Sequence, residues 1–170
     1  MSEQLLSVVV HKRQEQGTGV VVLELQAASG SSLPAFEAGA HVDVHLGDGL
    51  VRQYSLCGDP AQHSRYRLGV LKDPASRGGS DTVHARLHEG AQVQIGAPRN
   101  LFPLATDARR SILIGGGIGI TPMIAMAYEL HRRGADFELH YCGRSRSHSA
   151  FLEELAAAPF AQWVSTHFDD

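Results

Sequence analysis

The hydrophobic and polar positions change their period once along the chain. Up to about residue 104 the apolar residues come in short runs. Several alternate with polar ones, most clearly in His41-Val42-Asp43-Val44-His45-Leu46. Successive side chains of a strand point to opposite faces, so this period of two predicts half-buried strands. The segments are residues 6–10, 20–26, 40–46, 50–56, 66–71 and 92–95. Turn formers separate them: Gly17-Thr18-Gly19, Gly30-Ser31-Ser32, Gly47-Asp48-Gly49 and Gly58-Asp59-Pro60. Short strands joined in this way predict a small antiparallel barrel or sandwich. One helix interrupts them, at residues 81–88, with Ser80 read as its cap.

After Pro98 the pattern is different. Ser111-Ile112-Leu113-Ile114 is a continuous apolar run, which predicts a strand buried on both faces. A helix follows at residues 122–131, stopped by Arg132-Arg133-Gly134. Residues 137–141 read as a strand, 150–157 as a helix and 163–167 as a third strand. Strand–helix–strand–helix–strand is half of a doubly wound nucleotide-binding sheet. The predicted division is a barrel domain at residues 1–104 and the partial α/β domain at 105–170.

Composition narrows the picture. With 43% hydrophobic and 19% charged residues, the chain can build a core; disordered, collagenous and coiled-coil classes are excluded. No stretch approaches the ~18 apolar residues of a membrane span. Met1-Ser2-Glu3-Gln4-Leu5-Leu6 lacks the basic-then-apolar pattern of a secretory signal, so the cytoplasm is the expected compartment. A formal charge of -3 without a basic block gives no reason to expect nucleic acid. The two cysteines, Cys57 and Cys142, form no C-x-x-C pair, which excludes a disulfide framework or a Cys₄ site within the chain. His84 with His88, and His41 with His45, have spacings that share a face. Neither pair lies beside a carboxylate motif, so solvated or locally bonded rings are expected, and no metal site.

Three motifs carry chemistry. Gly115-Gly116-Gly117-Ile118-Gly119-Ile120-Thr121-Pro122 joins a predicted strand to a predicted helix. Glycines let peptide N–H groups approach a pyrophosphate, and the helix offers its positive end. Pro122 stands where the usual G-x-G-x-x-G has its third glycine, and suits a first helical turn. Arg52-Gln53-Tyr54-Ser55 ends a barrel strand. Arginine can fork a phosphate, tyrosine can lie flat on a ring system, and serine can hydrogen-bond a ring nitrogen. Arg52 and Tyr54 share one strand face and Ser55 the other. Arg77-Gly78-Gly79-Ser80 precedes the short helix and makes a phosphate nest. Taken singly, each also reads as an ordinary turn or polar strand.

The order of these motifs resembles the ferredoxin reductase superfamily, and within it the phthalate dioxygenase reductase and vanillate demethylase reductase group. The resemblance implies a six-stranded Greek-key flavin barrel followed by a nicotinamide-nucleotide domain. It places Arg52 near the flavin phosphate, Tyr54 on the ring and Ser55 near N5, the hydride-accepting nitrogen. It assigns Arg77, Gly78, Gly79 and Ser80 to the phosphate of FMN, favouring FMN over FAD. Gly115, Gly116, Gly117 and Gly119 match the pyrophosphate loop, and Thr121 the nicotinamide end. Tyr141-Cys142-Gly143-Arg144-Ser145 matches the ribose-reading segment. No acid stands there, and Arg144 and Arg146 suit a 2′-phosphate, whereas the oxygenase-reductase branch implies NADH.

The implied reaction passes electrons from NADH or NADPH through flavin to an iron–sulfur acceptor serving a terminal oxygenase. Two parts of the family pattern are missing. No Cys-Gly-Pro-like segment follows the third strand, and the C-x₄-C-x₂-C ligands of a [2Fe-2S] domain are absent. A fragment is therefore expected, with an uncovered strand edge and apolar face that favour dimerisation, strand exchange or poor order beyond about residue 150. The competing readings are a flavin-binding module without reductase activity and an FAD-dependent ferredoxin–NADP reductase.

Overall fold

The computed structural model describes residues 4–170; residues 1–3, which open the segment read for targeting, lie outside the described residues. The first half holds β1 (Leu5–Gln16), β2 (Val20–Ala27), β3 (His41–His45), β4 (Val51–Ser55), β5 (Tyr66–Leu71) and β6 (Gln92–Gly96). They form one antiparallel sheet in the order β4-β3-β6-β1-β2-β5. A bridge between Leu56 and Leu68 brings the two outer strands together and curls the sheet into a barrel. The apolar positions do what the alternation predicts: Val42 and Val44 enter the core with Val8, Leu23 and Ile95. The intervening Asp43 is buried too, paired with Arg99, so β3 is not the half-buried strand expected. β1 outruns its apolar run because Lys12 to Gln16 keep pairing with β2 beyond a bulge after Val10.

The helix of this half, α1 (Gly79–Arg86), begins earlier than expected. Ser80 is not its cap. Gly78 holds that position at φ +90°, a left-handed turn open to glycine, so Ser80 already lies in the first turn. Its hydroxyl accepts instead from the Asp73 amide at 3.0 Å.

The second half holds β7 (Arg110–Gly116), α2 (Ile120–Arg132), β8 (Asp136–Gly143), α3 (Leu152–Ala157) and β9 (Val164–Phe168). The strands are parallel, in the order β7-β8-β9. Ile120, Ile124, Ala127 and Leu130 of α2 recur at helical spacing and bury against Leu113, Phe137, Leu139 and Tyr141. One expectation fails. β7 is not buried on both faces: Ile112 is 61% and Ile114 62% exposed. Only Leu113 and Gly115 alternate toward the helices, and no described element covers the other face.

The halves are joined by an apolar and polar seam. Val20, Val22, Ala38 and Cys57 of the barrel half belong to the same core cluster as α2 and Phe151. Arg67 of β5 reaches Glu154 of α3 at 2.7 Å, and the Tyr128 hydroxyl donates to that carboxylate at 2.9 Å. The Phe151 amide donates to the Gln16 side chain at 2.9 Å, and the Thr18 amide to the Ser147 carbonyl at 2.9 Å.

Candidate functional site

A cleft of about 540 Å³ lies where the halves meet. β4 contributes Arg52, Gln53, Tyr54 and Ser55; the segment before α1 contributes Arg77 and the first turn of α1 Ser80; the glycine loop contributes Ile118 and Gly119, and the start of α2 Thr121 and Pro122. Members of all three sequence motifs therefore share one space, although they stand far apart in the chain.

Arg52 organises the barrel side. Its guanidinium donates to the Val51 carbonyl at 2.8 Å and to the Arg77 carbonyl at 3.1 Å. Its side chain lies across the start of α1, where a Cβ on Gly79 would stand 2.6 Å from it. Gly79 is thus needed for close approach, and Gly78 for its left-handed turn; neither lines the cleft itself. The register pairs Val44 with Arg52 and Val42 with Tyr54, so both face the core side of the strand, while Ser55 pairs with His41 on the other side. Burial pushes the Tyr54 phenol up, with Arg52 pulling partly the other way, so the ring is a neutral plate at ordinary pH.

The glycine loop is a cradle. A Cβ on Gly116, Gly117 or Gly119 would meet nothing within 4 Å, leaving open space above the backbone. Gly117 has φ +53°. Gly115 is different: a Cβ there would stand 2.8 Å from the Ile120 backbone, so it serves strand–helix packing. α2 begins at Ile120 rather than Pro122, putting Thr121 in its first turn, buried, with its hydroxyl donating to the Ile118 carbonyl at 3.0 Å. The donor set fits the groups the motifs imply: a cation and helix start at one end, an aromatic and hydroxyl in the middle, an open amide loop opposite.

Arg144 is exposed at the end of β8 and is not among the residues lining the cleft. Nearby Arg146 lies 5.1 Å over the Phe168 ring. The cleft also takes in Gly69, Leu71, Asp73, Ala75 and Ser76, none of them named from sequence. A glycine inside a strand run does signal close approach, and Gly69 carried that signal. The histidine pairs separate. His84 bonds the Val70 carbonyl and His88 the Ala85 carbonyl, each at 2.9 Å. His41 and His45 are half-buried, and their Nε2 atoms have no partner among the described residues, so neither is simply solvated or bonded. No group of three or more candidate metal ligands lies together among the described residues.

No family model matches the chain. It is 54% identical over 166 residues to the vanillate O-demethylase oxidoreductase of Pseudomonas putida, covering 98% of this chain and 52% of that protein. It is 48% identical over 164 residues to the reductase subunit of the tert-butanol monooxygenase / tert-amyl alcohol desaturase of Aquincola tertiaricarbonis, covering 96% and 49%. The solved phthalate dioxygenase reductase, described as a modular structure for electron transfer from pyridine nucleotides to [2Fe-2S], superposes with a TM-score of 0.92 at 37% identity, covering 97% of this chain and 52% of that one. The chain has the ferredoxin reductase-like fold. Its six-stranded barrel and three-stranded parallel sheet match the flavin-binding barrel and part of the nucleotide-binding domain of such structures. It spans about half the length of the curated relatives it matches.

Proposed function

We propose that this chain is the flavin-binding and part of the nucleotide-binding portion of a cytoplasmic reductase that passes electrons from NADH or NADPH toward a terminal oxygenase or its iron–sulfur partner. One observation carries this reading: Tyr54 and Ser55 of the barrel line the same cleft as Gly119 of the glycine loop and Thr121 of α2. A hydride donor held by one half would thus lie against an acceptor held by the other.

Arg52, Arg77, Ser80 and the start of α1 hold the flavin phosphate, with Gly78 and Gly79 shaping that start. With a flavin bound, Tyr54 would cover one side of the ring against water. Ser55, the residue placed nearest the chemistry, would donate its hydroxyl hydrogen to the ring nitrogen that takes the hydride. Gly116, Gly117 and Gly119 with Thr121 would hold the nicotinamide nucleotide, Gly115 would support them by letting α2 pack close under the loop, and Arg144 would read the ribose end. A bound flavin supplies the two-electron to one-electron conversion, which no side chain provides. FMN is favoured over FAD because Arg77-Gly78-Gly79-Ser80 resembles the phosphate-binding segment of FMN-dependent members, and Arg77 and Ser80 line the cleft.

The test is direct. Purified protein is reconstituted with FMN or FAD, the bound chromophore is released and weighed, and NADH or NADPH is added without oxygen. FMN binding and rapid bleaching are expected. Failure to bind any flavin overturns the proposal; binding without bleaching reduces it to a flavin module.

A further inference from the structure

β5 carries an inference that the motifs do not. Its inward residues Tyr66, Leu68 and Val70 fill the barrel core. The intervening Arg67 and Gly69 face the seam. Arg67 makes the ion pair to Glu154 and lies 5.5 Å over the Phe151 ring. Gly69 leaves a gap of one side chain, and that gap is filled from the other half. A Cβ at Gly69 would stand 2.9 Å from the Phe151 ring and 3.0 Å from the Thr121 methyl. Real Cβ atoms do not tolerate the first distance and rarely the second. Both neighbours are fixed: Thr121 is in the first turn of α2, and Phe151 is buried at φ +64° just before α3.

We infer that Gly69 is a positioning residue whose missing side chain sets how closely the glycine loop approaches Tyr54 and Ser55. Resting on the proposed reductase reading, this makes Gly69 the gauge of the gap that hydride must cross. It touches no reacting atom in this role; it acts through Thr121 and Phe151. Hydride transfer depends steeply on approach distance, and a misplacement near 1 Å can cost about a hundredfold.

The experiment compares the full chain with Gly69→Val and Gly69→Ala, each also combined with Phe151→Leu, which removes the ring tip. Amide residual dipolar couplings on the flavin-free chain report the orientation of the second half against the barrel. FMN affinity and the NADH reduction rate at saturation are then measured. Gly69→Val is expected to rotate the halves apart, leave FMN affinity within about twofold and lower the saturating rate by about tenfold or more. Gly69→Ala gives the same changes at smaller size, and keeps the test open where valine prevents folding. Phe151→Leu restores part of both orientation and rate.

Unchanged orientation in both variants overturns the inference. A changed orientation with an unchanged rate also overturns it, as does a large loss of FMN affinity, which would make Gly69 a flavin contact. If the parent chain is not reduced at all, the reductase reading fails, while the couplings still decide whether Gly69 sets the spacing.

Discussion

Arg52 shows how much one side chain can do at this cleft. It closes the end of β4 through Val51 and ties the turn before α1 through Arg77. Replacing it with alanine removes the fork and a cation; hydrogen bonds to charged groups are worth about 1.5–3 kcal/mol. FMN affinity should fall by about ten- to a hundredfold. Riboflavin, which lacks the phosphate, should bind almost as before, and fluorescence titration with both ligands separates the cases. Equal losses for the two would move Arg52 from the phosphate to the ring. Cys57 gives a prediction of another kind. Full burial pushes its thiol from an ordinary value of ~8.5 up to about 11, despite the opposing pull of Arg67. The folded state thus holds this proton more tightly than the unfolded one. The associated stability is complete below ~8.5 and is lost as pH rises toward about 11. Urea unfolding across that window should show a steeper alkaline decline in the parent than in Cys57→Ala.

At the scale of elements, the seam between β5, α2 and α3 is the feature that joins the two halves of the chain beside one cleft. Arg67 and Glu154 are both about one-fifth exposed, so neither charge is well solvated once its partner goes. Arg67→Ala should cost about 2 kcal/mol in urea unfolding, and Tyr128→Phe about 1, because it loses one hydrogen bond to the same carboxylate. Near-additive losses in the double variant would show that the three groups do not act as a network. Sequence pattern made much of this scale readable, because strands and amphipathic helices impose their periods on apolar residues. The three motifs were readable because glycine, arginine and hydroxyl residues have few other reasons to cluster beside a strand end. Other features left no such mark. The left-handed turn at Gly78 moved the start of α1, and an apolar run cannot distinguish Ile112 and Ile114 from Leu113 by what covers them. Arg144 directly follows β8, yet sequence could not show that it is not among the residues lining the cleft.

At the scale of the whole molecule, the sheet face opposite α2 is the least settled surface. Ile112 and Ile114 stand next to each other on it, both more than half exposed, beside Glu138 and His140. Among the described residues β7 pairs only with β8, so its other edge also keeps free peptide groups. Two copies of the chain that pack these faces together bury four isoleucines, each worth up to about 1.5–3 kcal/mol when fully removed from water. That gain must exceed the cost of association, so the pairing should be weak and concentration-dependent. Sedimentation equilibrium of the chain alone should show an average mass rising above the monomer with concentration. Ile112→Lys combined with Ile114→Lys places like charges on the meeting faces and should return it to the monomer, with far-ultraviolet circular dichroism unchanged. A parent chain that remains monomeric at high concentration would mean that exposed isoleucines on this face do not suffice to hold a second copy.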